Sequence, residues 1–113
     1  MAARHIELRH APGRGPLGDL MTGAVIDGDE LALPPSLVGR LDAWHRRWDG
    51  AVDAVDPDVV LVERWVIDEL GRDGARIWRA LLGLLPPQRF TVSYRHRDVR
   101  YSDPEELPIE WRF

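Results

Sequence analysis

Residues 56–85 constrain the fold most strongly, because their apolar side chains recur every three or four positions. Steps of that size place side chains on one face of a helix, and a long helix with one apolar face must bury it. The residues of this stripe are Val59, Val62, Val66, Leu70, Gly74, Ile77, Leu81 and Leu84. The sequence therefore predicts a long amphipathic helix against which the rest of the chain packs.

The residues before the stripe indicate where this helix begins. Asp56 is a suitable N-cap, Pro57 suits the first helical position, and Asp58 places a negative charge near the positive end of the helix dipole. The β-branched run at residues 59–62 is also compatible with a buried strand. We prefer a helix, because the run stays in phase with the stripe.

Two glycines inside the stripe offer another way to divide it. Gly71 is a candidate C-terminal cap, and Asp73 is a candidate N-cap for a new helix. The apolar phase continues across Gly71 and Gly74, which favours one continuous helix. Pro86 and Pro87 end it.

An earlier stretch predicts a second helix that begins near Pro35 and Ser36. Gly50 costs about 1 kcal/mol relative to alanine inside a helix, so an end at Gly50 is the alternative to an end near Val55. The apolar face comprises Leu37, Leu41, Trp44, Trp48, Val52 and, in the longer version, Val55. The solvated face comprises Asp42, Arg46, Asp49 and Asp53.

Other segments alternate between apolar and polar residues, as half-buried strands do. The alternation occurs at residues 4–10, 90–96 and 107–113, with a weaker candidate at residues 20–26. The intervening residues 11–16 have the composition of a loop. In the last segment we expect Leu107, Ile109, Trp111 and Phe113 to face inward, and Pro108 indicates a sheet edge.

A two-residue turn at Arg97 and Asp98 would connect the strand at residues 90–96 to a further strand. It would place Tyr94 opposite Tyr101, which is favourable, and Arg95 opposite Arg100, which is not. The turn also lacks glycine, which counts against it.

These elements predict an α+β fold in which two antiparallel helices pack on one face of a small, mostly antiparallel sheet. A chain of 113 residues suffices for a single domain with one core.

The absence of cysteine excludes disulfides, thiol nucleophiles and cysteine-based metal sites, and no apolar run approaches the roughly 18 residues of a membrane span. Residues 1–10 lack the apolar segment of a secretory signal, so we expect a cytoplasmic protein, and no residue pattern calls for a cofactor.

The charge is unevenly distributed along the chain, whose net charge is −4. Residues 19–73 contain thirteen acids and five arginines, whereas residues 74–100 contain six arginines and one acid. The protein therefore has an acidic half, which suits a basic partner, and a basic half.

The histidines are the candidate acid–base groups, because they are the side chains that ordinarily titrate near neutral pH. His5 and His10 point to opposite faces of a strand, and no histidine pair has the spacing of a helical chelate, so we predict no metal site. His45 lies three and four residues from Asp42 and Asp49, a pairing that a small hydrolase-like enzyme would use as its general base. No nucleophile accompanies the pair, and a surface imidazole is the preferred interpretation.

A basic segment gives a nucleic-acid-binding alternative. Arg95, Arg97 and Arg100 are interleaved with Tyr94, His96 and Tyr101, as in a surface on which single-stranded bases stack. Two observations oppose it: the alternation places Tyr94 inside, and an acidic protein repels phosphate.

Two residues of the long helix depart from its pattern. Glu63 projects near the centre of the apolar stripe, where a buried carboxylate would need an arginine partner. Trp65 projects from the polar side beside Glu69, so it is either covered by another segment or an anchor for another protein. The residues we expect at a protein interface are Trp65, Glu69, Asp42, Asp49 and Asp53.

About half of the chain resembles a set of small uncharacterised proteins from high-GC bacteria. The first matching block runs from Leu33 to Asp49 and has the form LPxxLxxRLxxWxxx(aromatic)D. The second has the form GxxLxxxLxxxL and begins at Gly74, and the third is the VxY of Val92 and Tyr94. The matching positions are mainly apolar, so the resemblance implies a shared fold rather than an activity.

The leading functional hypothesis is a non-catalytic protein-interaction module of the kind that includes immunity proteins, which neutralise a partner toxin. It is based on the small size, the lack of an assembled nucleophile or metal site, the acidic half and the outward Trp65. Self-association through a sheet edge is a further alternative.

Overall fold

The fold consists of two helices and a four-stranded sheet, in a computed structural model that describes residues 3–112. The helices pack against one face of the sheet. Their apolar sides and the inward side chains of the strands together form the hydrophobic core of the protein. The predicted α+β class is therefore confirmed. Among the described residues, no helix has the length and apolar character needed to cross a membrane.

The sheet has strand order β2-β1-β3-β4, with β1 at Arg4–Leu8, β2 at Leu17–Asp19, β3 at Phe90–His96 and β4 at Val99–Tyr101. The first strand pairs with β3 in parallel, and Ile6 lies beside Val92. Both other pairings are antiparallel. The first strand therefore occupies the interior of the sheet, between β2 and the C-terminal hairpin.

The second strand lies earlier in the chain than the sequence predicts. Residues 20–26 were expected to be extended, but the Asp19 carboxylate accepts hydrogen bonds from the backbone N–H groups of Met21 and Thr22. Together with Gly23 at φ 75°, these bonds make a turn. Only Val25 returns to pair, with Gly18.

The long helix, α2, spans Arg64–Leu84, so the predicted start at Asp56 is wrong. The Asp53 carboxylate accepts hydrogen bonds from the N–H groups of Val55 and Asp56, which gives this stretch a turn instead of a helical start. Val60 then pairs with Val52 in an isolated bridge.

This later start changes which residues of the stripe are buried. Val59 is exposed, and Glu63 is the exposed N-cap of α2 rather than a buried carboxylate. At the other end Leu84 is exposed and Leu85 is buried in its place. The middle of the stripe is buried as predicted, at Leu70, Gly74, Ile77 and Leu81.

The helix is continuous through its two buried glycines, as the phase of the stripe predicts. A Cβ added to Gly74 would lie 2.8 Å from a Trp44 ring atom and against the Tyr94 hydroxyl, and one added to Gly71 would overlap Trp111. The glycines therefore let large rings approach the helix backbone.

The first helix, α1, spans Pro35–Ala51, so Gly50 is tolerated one residue before its end. Its buried face includes Trp44 and Trp48, as predicted, and also His45. The apolar pattern stops at Val52, because Val55 is exposed to solvent in the turn that follows.

The C-terminal residues do not form the predicted closing strand. They form two 3₁₀ turns, Pro104–Glu106 and Ile109–Trp111, since Asp103 caps the first and Pro108 has no N–H to donate to a sheet. Leu107 and Trp111 are buried as expected, whereas Ile109 is exposed. Phe113 lies outside the described residues.

The disfavoured turn at Arg97 and Asp98 does form and connects β3 to β4. Arg97 adopts φ 58°, a conformation in which glycine would be less strained. The adjacent Arg95 and Arg100 are tolerated because they turn to different partners. Arg100 binds Glu7, and Arg95 donates to the Arg97 carbonyl.

We predict that Gly74→Ala destabilises the protein by about 1–3 kcal/mol, because the added methyl must displace buried rings. Gly83→Ala in the same helix is the control: nothing lies within 4 Å of its Cβ position, so the change should be neutral or stabilise by up to about 1 kcal/mol. Urea unfolding of both variants measures the two effects. Equal stability of the variants would contradict the packing described here.

Candidate functional site

The most prominent exposed apolar surface lies on the connecting segment, which we define as residues 52–63 between α1 and α2. Its backbone is ordered by hydrogen bonds across the loop. The Asp53 N–H donates to the Val59 carbonyl at 2.9 Å, and the Leu61 N–H donates to the Ala51 carbonyl at 2.9 Å. The segment is therefore held in one shape although most of its side chains face solvent.

Large apolar side chains of the connecting segment and the first turn of α2 are exposed. Leu61 is 61% exposed and Trp65 is 62% exposed. The Trp65 Nε1–H donates to the Glu63 carboxylate at 2.7 Å, which restricts the ring. The complete set is Val55, Val59, Val60, Leu61 and Trp65. Trp65 is therefore not covered by another of the described segments.

Acidic residues are frequent in the same part of the chain. Residues 53–69 contain six acids and one arginine, Arg64. Hydrogen bonds from the N–H groups of Asp56 and Val55 lower the pKa of Asp53, so this carboxylate stays ionised when the pH falls well below neutral. The connecting segment therefore combines exposed apolar area with a strong negative charge.

The other acids predicted at the interface are dispersed. Glu69 forms an ion pair with Arg47 at 3.1 Å, and Arg47 also binds Asp73 at 2.7 Å. Asp42 is exposed in the middle of α1, where it lines a depression together with Pro16. Of the predicted set, Asp53 lies on the connecting segment, and Trp65 lies two residues beyond the end of that segment.

The arginines of the nucleic-acid hypothesis are engaged within the protein. Arg100 donates to the buried Glu7 carboxylate at 2.6 Å, and Arg95 donates to the Arg97 carbonyl at 3.1 Å. The Arg97 guanidinium lies 3.4 Å from the Asp58 carbonyl. The bond between Arg100 and Glu7 crosses the sheet from β4 to β1.

The aromatic residues of the same hypothesis do not form a stacking surface. Tyr94 is fully buried beside Trp78 and donates its hydroxyl to the Gly71 carbonyl at 2.8 Å. His96 packs between Trp48 and Trp111. These rings are therefore unavailable to bases.

A surface depression of about 360 Å³ lies between the loop after β1 and the C-terminal hairpin. Three acids and three arginines line it together with His10, so its walls are nearly balanced in charge and do not favour an anion. The lining residues are Glu7, Arg9, His10, Ala11, Pro12, Trp48, Pro57, Asp58, Arg95, Arg97 and Asp98.

His45 pairs with Asp49, one of its two predicted partners, and the fold adds His10. The Asp49 carboxylate lies 2.8 Å from His10 Nε2 and 3.8 Å from His45 Nδ1. Burial, and then the nearby His10, lowers the pKa of His45. The sequence signal for His45 and Asp49 was their spacing of four on one helix, whereas nothing local indicated His10.

The enzyme hypothesis lacks a reacting group at this cluster. Two depressions adjoin it, one lined by His10 and one by Asp49. Neither has serine, threonine or tyrosine among the described residues that line it, and the chain has no cysteine. A His–Asp pair without a nucleophile supplies only the proton-transfer half of the chemistry.

Neither models of protein families nor curated protein sequences match this chain. The physical character of its surfaces is therefore the basis for a functional proposal.

We predict that the stability of the protein falls as the pH is lowered from 7 to 4.5. Burial, assisted by the charge of Arg97, lowers the pKa of His96 from its ordinary value of 6.5 to about 4. The unfolded chain therefore binds a proton in this window that the folded protein does not, which costs roughly 2 kcal/mol by pH 4.5.

Urea unfolding across this pH range, compared between the wild type and His96→Phe, measures the contribution. The variant keeps an aromatic ring but removes the titrating group, so its stability should fall less steeply. Parallel curves for the two proteins would refute a buried neutral His96.

Proposed function

We propose that this protein is a non-catalytic interaction module that binds the basic surface of a partner protein through the connecting segment and Trp65. The proposed module is of the kind that includes immunity proteins, which neutralise a partner toxin. The observation that carries the proposal is the exposure of Trp65 and Leu61 within a strongly acidic, ordered surface.

The apolar side chains supply the affinity in this proposal. Clustered exposed apolar side chains are typical of binding sites, and tryptophan is among the residues that contribute most to protein interfaces. The Glu63 hydrogen bond restricts the Trp65 ring, and backbone bonds order the segment. Less side-chain and loop freedom is therefore lost on binding.

The carboxylates supply the choice of partner. The four acids of the connecting segment attract a basic surface and repel an acidic one, which raises the rate of encounter with the correct partner. They are Asp53, Asp56, Asp58 and Glu63. A toxin that acts on nucleic acid must itself present a basic surface. An acidic module could cover that surface, which agrees with an immunity-type role.

We predict that Leu61→Asp and Trp65→Ala each abolish capture of the partner, because they remove apolar area at the centre of the surface. Loss of a tryptophan anchor costs about 2 kcal/mol or more, which is roughly thirtyfold in affinity. Met21→Asp is the matched control, since Met21 is 83% exposed but lies in the turn after β2, next to the start of β1.

The experiment compares tagged wild type and the three variants in lysate of the native organism, with quantitative mass spectrometry of the captured proteins. We expect a basic protein that wild type and Met21→Asp retain, that Leu61→Asp and Trp65→Ala lose, and that is released as salt rises. The proposal would be overturned if the tagged wild type captured no other protein, or if Leu61→Asp captured the same partner as the wild type.

A further inference from the structure

We infer that His10, His45 and Asp49 form a binding site for one divalent transition-metal ion of the zinc class. These residues offer two imidazole nitrogens and a carboxylate oxygen, and all three ligand atoms lie within 4.8 Å of one another. They come from the loop after β1 and from α1, so neither element could bind the ion alone.

The carboxylate lies between the two rings. Asp49 Oδ1 is 2.8 Å from His10 Nε2, and Asp49 Oδ2 is 3.8 Å from His45 Nδ1. Zinc binds nitrogen and oxygen ligands at about 2.0–2.2 Å, so ligand atoms around one ion are separated by somewhat more than 3 Å. The 2.8 Å and 3.8 Å separations must each change by about half an ångström, and the widest spacing, up to 4.8 Å, must shorten by more than about an ångström, so binding needs side-chain movements of that size.

The hydrogen bonds of His45 orient it as a ligand. Its Nε2 is 3.0 Å from the Ala11 carbonyl oxygen, to which Nε2–H can donate, and 3.2 Å from the Ala11 nitrogen, whose N–H can donate to Nε2 in the other tautomer. Its Nδ1 is 3.8 Å from the carboxylate, which is beyond a hydrogen bond. In the tautomer that carries the proton on Nε2, the lone pair of Nδ1 faces the carboxylate, and a cation between them would satisfy both acceptors. Metal-binding histidines commonly donate their other N–H to a backbone carbonyl in this way.

The rings are held in place before any ion arrives. The side chains of His10 and His45 are only 11% and 10% exposed, and His10 stacks on Trp48 with ring centroids 5.5 Å apart. The Arg9 N–H donates to the Pro16 carbonyl at 2.9 Å, and the Arg9 side chain donates to the Gly15 carbonyl at 3.0 Å. The loop that carries His10 is thus closed at both ends.

The donor set selects the class of metal. Two imidazoles and one carboxylate suit zinc and its neighbours, whereas magnesium and calcium require mainly oxygen ligands. Three protein ligands leave a fourth position for water or an incoming group. The Asp49 side chain is 47% exposed, so that position can face solvent. The ion would take the place of the hydrogen bond between His10 and Asp49.

The test is zinc titration of the tag-free, metal-stripped protein by calorimetry, with imidazole ¹⁵N spectra of the unchanged chain as the second readout. We expect one zinc ion per chain, with shifts at His10 Nε2 and His45 Nδ1 and none at His5 or His96. Asp49→Asn and His10→Gln should each weaken zinc binding by at least about tenfold. Asp42→Asn, an exposed acid on the same helix, should leave it unchanged.

The outcomes separate clearly. Circular dichroism checks that the variants fold, and the spectra of the unchanged chain decide the assignment even where a variant does not. Absence of stoichiometric zinc, shifts confined to His5 or His96, or equal affinity in Asp49→Asn and Asp42→Asn would each overturn the inference. Since no partner protein is present, the result is independent of the proposed interaction surface.

Discussion

The close approach of α2 to the aromatic rings around it is the contact on which the rest of the fold depends. Because Gly71 and Gly74 have no side chains, Trp44 and Tyr94 reach the helix backbone. Trp44 Nε1–H donates to the Leu70 carbonyl at 2.9 Å, and the Tyr94 hydroxyl donates to the Gly71 carbonyl at 2.8 Å. Both of these buried donors thereby find a partner, and each bond joins α2 to a different element.

The same arrangement determines what remains at the surface. With Trp44, Trp48, Trp78 and Trp111 committed to the core, Trp65 is the tryptophan left in solvent. The inward orientation of Tyr94 and His96 likewise leaves Arg95 on the outside of β3. Arg95 donates to a backbone carbonyl, and the neighbouring Arg100 of β4 binds Glu7. The packing of aromatic rings therefore separates an apolar, acidic surface from one whose charges are already balanced.

Much of the fold could be predicted from periodicity, because the middle of α2, the buried face of α1 and the inward residues of β3 each repeat their pattern over several turns or residue pairs. The ends could not. Asp56 and Pro57 satisfy the rules for a helix start and for a turn equally well, and the choice was made by Asp53 and by the pairing of Val52 with Val60. Residues 107–111 alternate as a strand would, but Pro108 precedes a 3₁₀ turn at Ile109–Trp111.

The candidate sites were predictable to different degrees. Trp65 was identified by its wrong position on a polar helix face, although its exposure depended on where the C-terminal residues pack. His45 and Asp49 share one helix face by spacing alone. The addition of His10 depends on the path of a loop held by Arg9 and Gly15, and no local pattern encodes that path. Contacts between distant residues were therefore the part that sequence reasoning missed.

The interior position of β1 has a consequence for synthesis of the chain. Arg4 pairs beside Phe90, so one edge of the first strand stays open until residues 90–96 have been made. A nascent chain on the ribosome can form both helices from local contacts, but it cannot complete its sheet. We expect the emerging β1–β2 hairpin to need protection from other open strands until the C-terminal hairpin arrives.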